Sequence, residues 1–152
     1  MVFRLDAQGY ALHLSVVEKV VRAVEITPLP KAPEIVVGVV NWQGRVVPVV
    51  NMRARFGLTA REIDLADRFI FARTRKRVVA LIADSVDGVI FHSLEDIISP
   101  EHIVSGIEYI DGVAKLEDGL LLIHDLDKFL SLEEENGLDR ALKSAPESLH
   151  EQ

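Results

Sequence analysis

Two runs of mostly β-branched residues, separated by a short polar turn, dominate the hydrophobic pattern of the chain. The first run covers residues 35–40 and the second covers residues 46–50. Between them lies Asn41-Trp42-Gln43-Gly44, in which Gly44 can adopt the positive φ that a tight turn requires. This pattern predicts a β-hairpin. Pro48 has no backbone donor, so we expect it at a sheet edge or a bulge.

Similar runs predict further strands along the rest of the chain. The turns at Gly9 and at Asp118-Gly119 each lie between two such runs, which predicts two more hairpins. Phe69 and Phe71 fall on one face of another predicted strand. We therefore expect about ten strands in two clusters, each suited to a small closed barrel that leaves no exposed edges. The predicted strands outside the central hairpin cover residues 3–5, 10–14, 68–73, 77–84, 86–92, 107–116 and 120–124.

Three capping patterns are present, of which two predict short helices. Ser15 and Glu18 match a capping box and valines follow at helical spacing, so we expect a helix that passes into a strand near residue 20. Thr59 and Glu62 repeat the box in a polar segment that we expect to connect two halves of the fold. Asn51 is expected to cap a short helix over residues 52–56, which Gly57 can close.

The composition favours a β-rich domain without disulfides. The chain has 152 residues, enough for one domain with a substantial core. Hydrophobic residues make up 49% and aromatic residues only 6%, so Val, Ile and Leu must build the core, which suits sheets. The chain has no cysteine, which excludes disulfides, thiol catalysis and cysteine-based metal sites.

The net charge of −7 is unevenly distributed. Residues 45–77 carry nine basic and three acidic groups, whereas residues 84–152 carry four basic and seventeen acidic groups. The basic groups lie mostly at strand ends and turns, without the interleaved aromatic residues of a nucleic-acid surface. We therefore expect no nucleic-acid partner. The charged segments are interpreted as solvated surface, with electrostatic steering between protein patches as a secondary role.

No catalytic motif is recognisable. The five histidines form no His-Glu-x-x-His pattern, and neither a glycine-rich phosphate loop nor a nucleophile elbow is present. His124, Asp125 and Asp127 suggest a metal or acid–base site, so a small ligand- or metal-binding β-barrel is the alternative function. The simpler interpretation is that His124 ends a strand and Asp125 caps a helix. We expect no enzyme activity, no catalytic residue, no metal and no cofactor.

The central hairpin carries a longer ordered pattern. Residues 38–57 read Gly-Val-x-Asn-x-x-Gly-x-Val-x-Pro-Val-x-x-x-Arg-x-x-Phe-Gly. This order resembles the core signature of CheW-like domains, the coupling modules of bacterial chemosensory pathways. The resemblance extends to residues 25–30 and 83–89 and covers about residues 2–132.

The resemblance implies a mostly β fold of two small, intertwined, five-stranded SH3-like β-barrels with short helices. On this basis the CheW-like domain covers residues 1–132. Its first barrel is expected at about residues 15–66, and its second at about residues 67–132 together with the strand in residues 1–14. Residues 133–152 are expected to form an acidic, weakly helical C-terminal tail with a frayed end.

The resemblance also implies a non-enzymatic adaptor that joins a CheA-type histidine kinase to the cytoplasmic tip of chemoreceptors. A CheW-like module specialised for self-assembly or for inhibiting a kinase stays open beside this function, as does contact with CheW-like homologues. No apolar leader or run of 18 apolar residues is visible, so we expect a cytoplasmic protein at receptor arrays, without direct membrane insertion. The motif assigns receptor binding to Val17, Lys19, Gly38, Asn41, Gln43 and Gly44, and kinase binding to Asp84, Val86 and Val89.

Simpler structural roles compete with several of these assignments. Val17 and the kinase-side residues also suit ordinary strand packing, and Gly38 also suits a purely backbone requirement.

The chain departs from the family at three positions. Lys19, Gln43 and Asn51 stand where family members usually have Glu, Arg and Asp, and the family's Glu and Arg form a salt bridge. Losing both charges together is compatible with an intact fold. The departure indicates a non-standard chemosensory pathway or a different partner. If Lys19 and Gln43 are neighbours, we expect the ammonium to donate to the Gln43 side-chain carbonyl.

Overall fold

The computed structural model describes residues 1–91, 97–98, 110–117 and 119–144. Within these residues the chain forms two β-sheets and two α-helices. The strands are β1 (Val2–Leu5), β2 (Gln8–Ala11), β3 (Val17–Arg22), β4 (Val36–Trp42), β5 (Arg45–Val50), β6 (Arg68–Arg73), β7 (Val78–Ala83), β8 (Ser85–Gly88), β9 (Ile97–Ile98), β10 (Ile110–Leu116) and β11 (Gly119–His124). The helices are α1 (Met52–Arg55) and α2 (Leu132–Lys143), and 3₁₀ turns cover Leu14–Val16 and Leu126–Lys128.

The first sheet has five strands in the order β3-β6-β7-β5-β4. This sheet is buried on both faces, as the side chains of strand β6 show. Phe69 and Phe71 point into one apolar cluster with Val40 and Val47, whereas Ile70 and Ala72 join a second, larger cluster. Because successive side chains of a strand alternate between faces, β6 contributes to two cores at once.

The second sheet has six strands in the order β8-β1-β2-β11-β10-β9. The first hairpin pairs with the second half of the chain, because β2 runs parallel to β11 and β1 runs antiparallel to β8. This interleaving agrees with the intertwined barrels that the resemblance implied. The second sheet contains six strands rather than the five expected, the sixth being the two-residue β9.

The strand pairing moves the boundary between the two halves. The sequence analysis divided the barrels near residue 66, but β6 and β7 are hydrogen-bonded in the five-stranded sheet. The chain changes sheets at Asp84, between β7 and β8. Residues 58–67 looked like a connection because they are polar, yet they form a loop within the first half. Polarity marks a loop, whereas sheet membership depends on which distant strands pair.

The helix predicted from Ser15 is wrong. A 3₁₀ turn covers Leu14–Val16, no side chain caps it, and β3 already begins at Val17. Pairing of β3 with β6 stabilises the extended form, which β-branched valines also favour. The capping pattern at residues 59–62 lies in the polar segment that was expected to be a loop, and the structure has no helix there. At Ser15 tertiary pairing overrides the local pattern.

Helix α2 is longer and better anchored than the weak helix expected there. Ser131 and Glu134 form a reciprocal capping box at its start. Leu138 and Ala141 are almost completely buried in the larger cluster. Both carboxylate oxygens of Glu134 accept from Arg55 of α1 at 2.5 Å. Residues 132–143 are therefore part of the main core.

Candidate functional site

The turn between β4 and β5 contains two consecutive residues with positive φ. Gln43 has φ 53° and Gly44 has φ 83°, and the flanking residues Trp42 and Arg45 are paired. This is the geometry of a two-residue hairpin turn whose backbone matches the twist of the strands. The side-chain oxygen of Asn41 accepts from the backbone N–H of Gly44 at 3.2 Å. The receptor-side candidates Asn41, Gln43 and Gly44 thus form one ordered turn.

Pro48 lies in the middle of β5 without breaking the sheet. Its partner on β4 is Val39, which exchanges both of its backbone hydrogen bonds with Thr27 instead. On the other side, the ladder between β5 and β7 begins only at Val49. No ladder bond is required at Pro48, although β5 is an interior strand. Pro48 thus lies where one side of β5 is unpaired, and a bulge in the hairpin lies one pair away, between Val36 and Gly38.

Gly38 permits a close approach of two backbone segments. A Cβ at this position would lie 2.4 Å from the carbonyl oxygen of Thr27 and 2.6 Å from the Ile26 side chain. Thr27 exchanges two hydrogen bonds of 2.8 Å with Val39, which fixes the approach. Gly38 is buried, so its role is to seat the segment before β4 against the hairpin.

Lys19 lies on a strand, and its ammonium contacts an aromatic ring. The Nζ atom is 5.2 Å from the centroid of the Trp42 ring, within the range of a cation–π contact. Trp42 in turn stands edge-to-face against Phe71 at 5.4 Å. Although both residues are described, the structure contains no hydrogen bond between Lys19 and Gln43, and the predicted contact is wrong. Val17, the other candidate on β3, is half-buried and paired with Ala72.

Glu18 makes the ion pairs that the sequence analysis did not find. A bulge interrupts the pairing of β3 with β6 at this residue. The Glu18 carboxylate lies 3.5 Å from Arg45 of the central hairpin and 3.5 Å from Arg73 at the end of β6. The resemblance implied an ion pair between positions 19 and 43, whereas in this chain β3 and the hairpin are joined by an ion pair between positions 18 and 45. A bulge changes the register of a strand, and counting residues along the sequence does not reveal it. The ion pairs of Glu18 could therefore not be predicted.

Asp84 is the centre of an ion-pair network between the two sheets. One carboxylate oxygen accepts from Arg53 and from the backbone N–H of Asp6, both at 2.7 Å. The other accepts from Arg61 at 2.6 Å, and Arg61 also pairs with the buried Asp67. Arg53 further contacts the Asp6 carboxylate at 2.7 Å. This kinase-side candidate therefore joins residues of both halves of the chain.

The network shifts the ionisation of its members. Burial alone would raise the pKa of Asp84, but hydrogen bonds from Arg61, the Asp6 backbone and Arg53 hold that pKa below its ordinary value. The hydrogen bond to Asp6 is the main reason that the pKa of Arg53 is raised. The lowered pKa of Asp84 and the raised pKa of Arg53 keep both groups charged at neutral pH, so their contact is a charge-assisted hydrogen bond.

Val86 and Val89 differ in accessibility. Val86 lies on β8, opposite Phe3 of β1, and packs against the larger core cluster. Val89 is 43% exposed, and the next two residues, Ile90 and Phe91, are 44% and 93% exposed. These three residues, here named the apolar edge, border a groove of about 190 Å³. A solvent-exposed phenylalanine beside an apolar groove is typical of a protein-interaction surface.

His124, Asp125 and Asp127 have structural partners. His124 ends β11, is 2% exposed and stacks on Phe56 at 4.5 Å. The Asp125 side chain accepts from the backbone N–H of Asp127, and Asp127 accepts from the backbone N–H of Arg75 at 2.7 Å. Across the described part of the chain, no three potential ligands are grouped to hold a metal ion. The predicted strand end and helix cap are confirmed, and the metal-site alternative is not favoured.

Comparisons with known proteins agree with this geometry. The sequence model of the CheW-like domain family matches residues 1–134. The chain belongs to the CheW-like domain family. A chemotaxis protein CheW of Rhizobium meliloti (strain 1021) is 32% identical over 134 residues, covering 87% of this chain and 86% of the relative. The chemotaxis protein CheW of Treponema pallidum (strain Nichols) is 29% identical over 138 residues, covering 87% and 81%.

A solved structure supports the same assignment for the fold. The scaffolding protein TtCheW from Thermoanaerobacter tengcongensis superimposes with a TM-score of 0.79 at 29% identity. The match covers 88% of this chain and 92% of the TtCheW chain. The prediction of a CheW-like fold with two intertwined small barrels is thereby confirmed. Within the described residues, no helix is long and apolar enough to cross a membrane.

Proposed function

We propose that this CheW-like chain is a non-enzymatic adaptor that couples a CheA-type histidine kinase to the cytoplasmic tip of chemoreceptors. The observation that carries the proposal is the match of the family over residues 1–134 together with the intact central hairpin. The adaptor works in the cytoplasm, at receptor arrays on the membrane. Contacts with other CheW-like proteins or with a second copy of the chain are secondary partners in this proposal.

The receptor side of the adaptor centres on the β4–β5 hairpin. Asn41, Gln43 and Gly44 shape the turn, and Gly38 seats the preceding segment against it. Lys19 and Val17 add strand β3, which contacts the hairpin through Glu18 with Arg45 and Lys19 with Trp42. The surface is small and preformed, which suits a partner that docks without large backbone changes.

The kinase side centres on β8 and the apolar edge. Val89 is the exposed member of the assigned set and continues into Ile90 and Phe91. Val86 and Asp84 act as positioning residues, because Val86 packs on the core and Asp84 ties the start of β8 to the first half of the chain. Exposed apolar residues at the centre of an interface supply most of its affinity.

A reconstituted signalling assay tests the proposal. Purified CheA-type kinase and receptor-containing membranes from the organism that carries this chain are combined with and without the protein. We expect kinase autophosphorylation to rise only when all three components are present and to respond to receptor ligand. An unchanged kinase rate, with no binding of the protein to either partner, would overturn the adaptor function.

Matched variants separate the kinase side from general damage. Val89→Asp places a charge in the apolar edge, and Val24→Asp makes the same change at a residue of similar exposure, 39% against 43%, before the central hairpin. We expect Val89→Asp to weaken kinase binding by at least about tenfold. Val24→Asp should leave it within about twofold, since surface substitutions usually have small effects. Equal affinities for the two variants would remove the apolar edge from the proposal.

A further inference from the structure

One face of the first half of the chain carries an exposed leucine beside two cavities. Leu65, in the loop between α1 and β6, is 87% exposed, and Ile63 is 39% exposed. Ile63 lines both cavities, which have volumes of about 290 Å³ and 330 Å³. The apolar residues around the cavities, here named the loop face, are Val24, Ile26, Val37, Ile63, Leu65 and Ile82.

The loop that carries Leu65 is held in place by polar contacts. Arg61 pairs with the buried Asp67 and with Asp84, at 2.6 Å each. The backbone N–H of Asp64 donates to the Asp67 carboxylate at 2.9 Å. These contacts lie on both sides of Leu65 along the chain. The leucine is therefore exposed on a loop that is fixed to the sheet beneath it.

The adaptor function does not account for the loop face. None of the residues assigned above to the receptor or the kinase lines either cavity. Val24 and Val37, from two other segments, are 39% and 38% exposed. Single exposed apolar residues are common, whereas a contiguous group of them marks an interaction site. The loop face therefore needs a different occupant.

The loop face is complementary to itself. It holds an exposed apolar side chain, Leu65, and cavities that can receive one. Its border carries both charge signs, since Arg22 and Arg68 lie opposite each other on β3 and β6, and Glu25 and Glu62 line the cavities. None of these four charged side chains forms an ion pair with another described residue. Across a two-fold axis each of these features can meet its complement on a second copy.

We propose that the loop faces of two copies of this chain associate about a two-fold axis, with Leu65 of each copy inserted into the cavity beside Ile63 of the other. A cavity of about 150 Å³ already holds a benzene molecule, so about 290 Å³ leaves room for a leucine side chain. Acidic residues on the border disfavour nucleic acid and anionic lipid as occupants. The dimer goes beyond the adaptor function, which one copy performs, and supplies a surface for the second-copy contact named there.

Sedimentation equilibrium of the full chain tests the dimer. The 16.9 kDa protein is measured from about 1 μM to 1 mM, which covers weak and moderate association. Leu65→Asp changes the loop face, and Leu132→Asp makes the same change at a residue that is 72% exposed and begins α2. We expect the wild type to reach twice the monomer mass. Leu65→Asp should weaken association by about tenfold at each insertion and about a hundredfold for both, whereas Leu132→Asp should stay within about twofold.

Mixing two variants tests whether the insertion is reciprocal. Val37→Phe fills the cavity of about 290 Å³ but keeps Leu65, whereas Leu65→Asp keeps an open cavity. A mixture of the two retains one insertion, so it should associate about tenfold more tightly than either variant alone. Each variant is first checked for cooperative urea unfolding. Ile82→Phe, in the same cavity, replaces Val37→Phe if the latter fails this check.

The outcomes separate the dimer from the adaptor function. A wild type that stays monomeric at all concentrations would overturn the dimer, and so would association that Leu65→Asp leaves unchanged. Kinase and receptor binding are measured with the same variants. A monomeric wild type whose kinase or receptor binding is lost in Leu65→Asp would also overturn the dimer and assign the loop face to that partner. A mixture no tighter than its components would exclude reciprocal insertion. If the wild type binds neither kinase nor receptor, the adaptor function itself fails, whatever its oligomeric state.

Discussion

Arg53→Met removes the cation that joins the two halves of the chain while keeping much of the side-chain volume. Arg53 donates to Asp84 and Asp6 at 2.7 Å each and to the Thr59 carbonyl at 3.1 Å. The Arg53 side chain is 9% exposed, so these contacts are made largely away from water. The substitution therefore leaves two carboxylates without one of their donors.

The expected cost follows from these contacts. A hydrogen bond to a charged group contributes about 1.5–3 kcal/mol when buried, and less when solvent reaches it. The Asp84 side chain is 23% exposed and keeps its contacts with Arg61 and the Asp6 backbone, whereas the Asp6 side chain is 56% exposed. We expect the free energy of unfolding to fall by about 2–4 kcal/mol. With a urea m-value of about 2 kcal/mol/M, the midpoint falls by about 1–2 M.

An exposed arginine provides the control. Arg4 pairs with Asp87 at 2.7 Å, but the two side chains are 37% and 40% exposed. Such surface pairs contribute about 0–1 kcal/mol, so Arg4→Met should shift the urea midpoint by less than about 0.5 M. If Arg53→Met shifts the midpoint no more than Arg4→Met, the network does not hold the two halves together.

The pH dependence provides a second readout. The folded-state pKa of Asp84 lies below its ordinary value of 3.8, so its contribution to stability is present above about pH 4 and is lost as the pH falls through the folded-state pKa. Removing Arg53 takes away one of the causes of that lowering. The difference in unfolding free energy between wild type and Arg53→Met should therefore shrink below pH 4. A difference that stays constant down to pH 2 would refute the electrostatic explanation.

Substitutions at three further positions probe the hairpin and the helices. Gly38→Ala should lower the free energy of unfolding by about 1–3 kcal/mol, because the added Cβ would lie 2.4 Å from the Thr27 carbonyl oxygen. An unchanged melting temperature would contradict this close approach. Asn51→Ala should cost about 1 kcal/mol in urea and Asn51→Asp almost nothing, since both native and Asp side chains can cap α1; equal losses would exclude the cap. Leu138→Ala should lower the free energy of unfolding by about 2–5 kcal/mol and increase amide hydrogen exchange across α2, because the Leu138 side chain is fully buried. Unchanged protection of the α2 amides would show that the helix is stable without this leucine.

Features encoded by adjacent residues could be predicted from the sequence. The central hairpin follows from Gly44 between two β-branched runs, and the cap of α1 follows from Asn51. The hairpin of β10 and β11 was also predicted, with Asp118 of its turn outside the described residues. In these cases the turn chemistry and the final structure agree, because the interacting groups are only a few residues apart.

Features that depend on distant partners could not be predicted in the same way. The Ser15 pattern favours a helix, but pairing with β6 makes the segment a strand. Asp84 looked like a surface contact because the network that surrounds it comes from three other parts of the chain. The pairs of Glu18 with Arg45 and Arg73 depend on a bulge, which changes register by one residue. Local preferences are weak compared with such pairings.

The parallel pairing of β2 with β11 has a consequence for biosynthesis. Leu121 lies opposite Gly9, so β2 cannot pair with β11 until almost the whole domain has left the ribosome, although β1 can pair with β8 earlier. All strands of the other sheet lie within residues 17–83 and can assemble earlier. At about 5–20 residues per second, residues 84–124 take about 2–8 s to appear. Until residues 119–124 appear, the β2 edge of this hairpin has no strand partner, and an unpaired strand edge can pair with other chains.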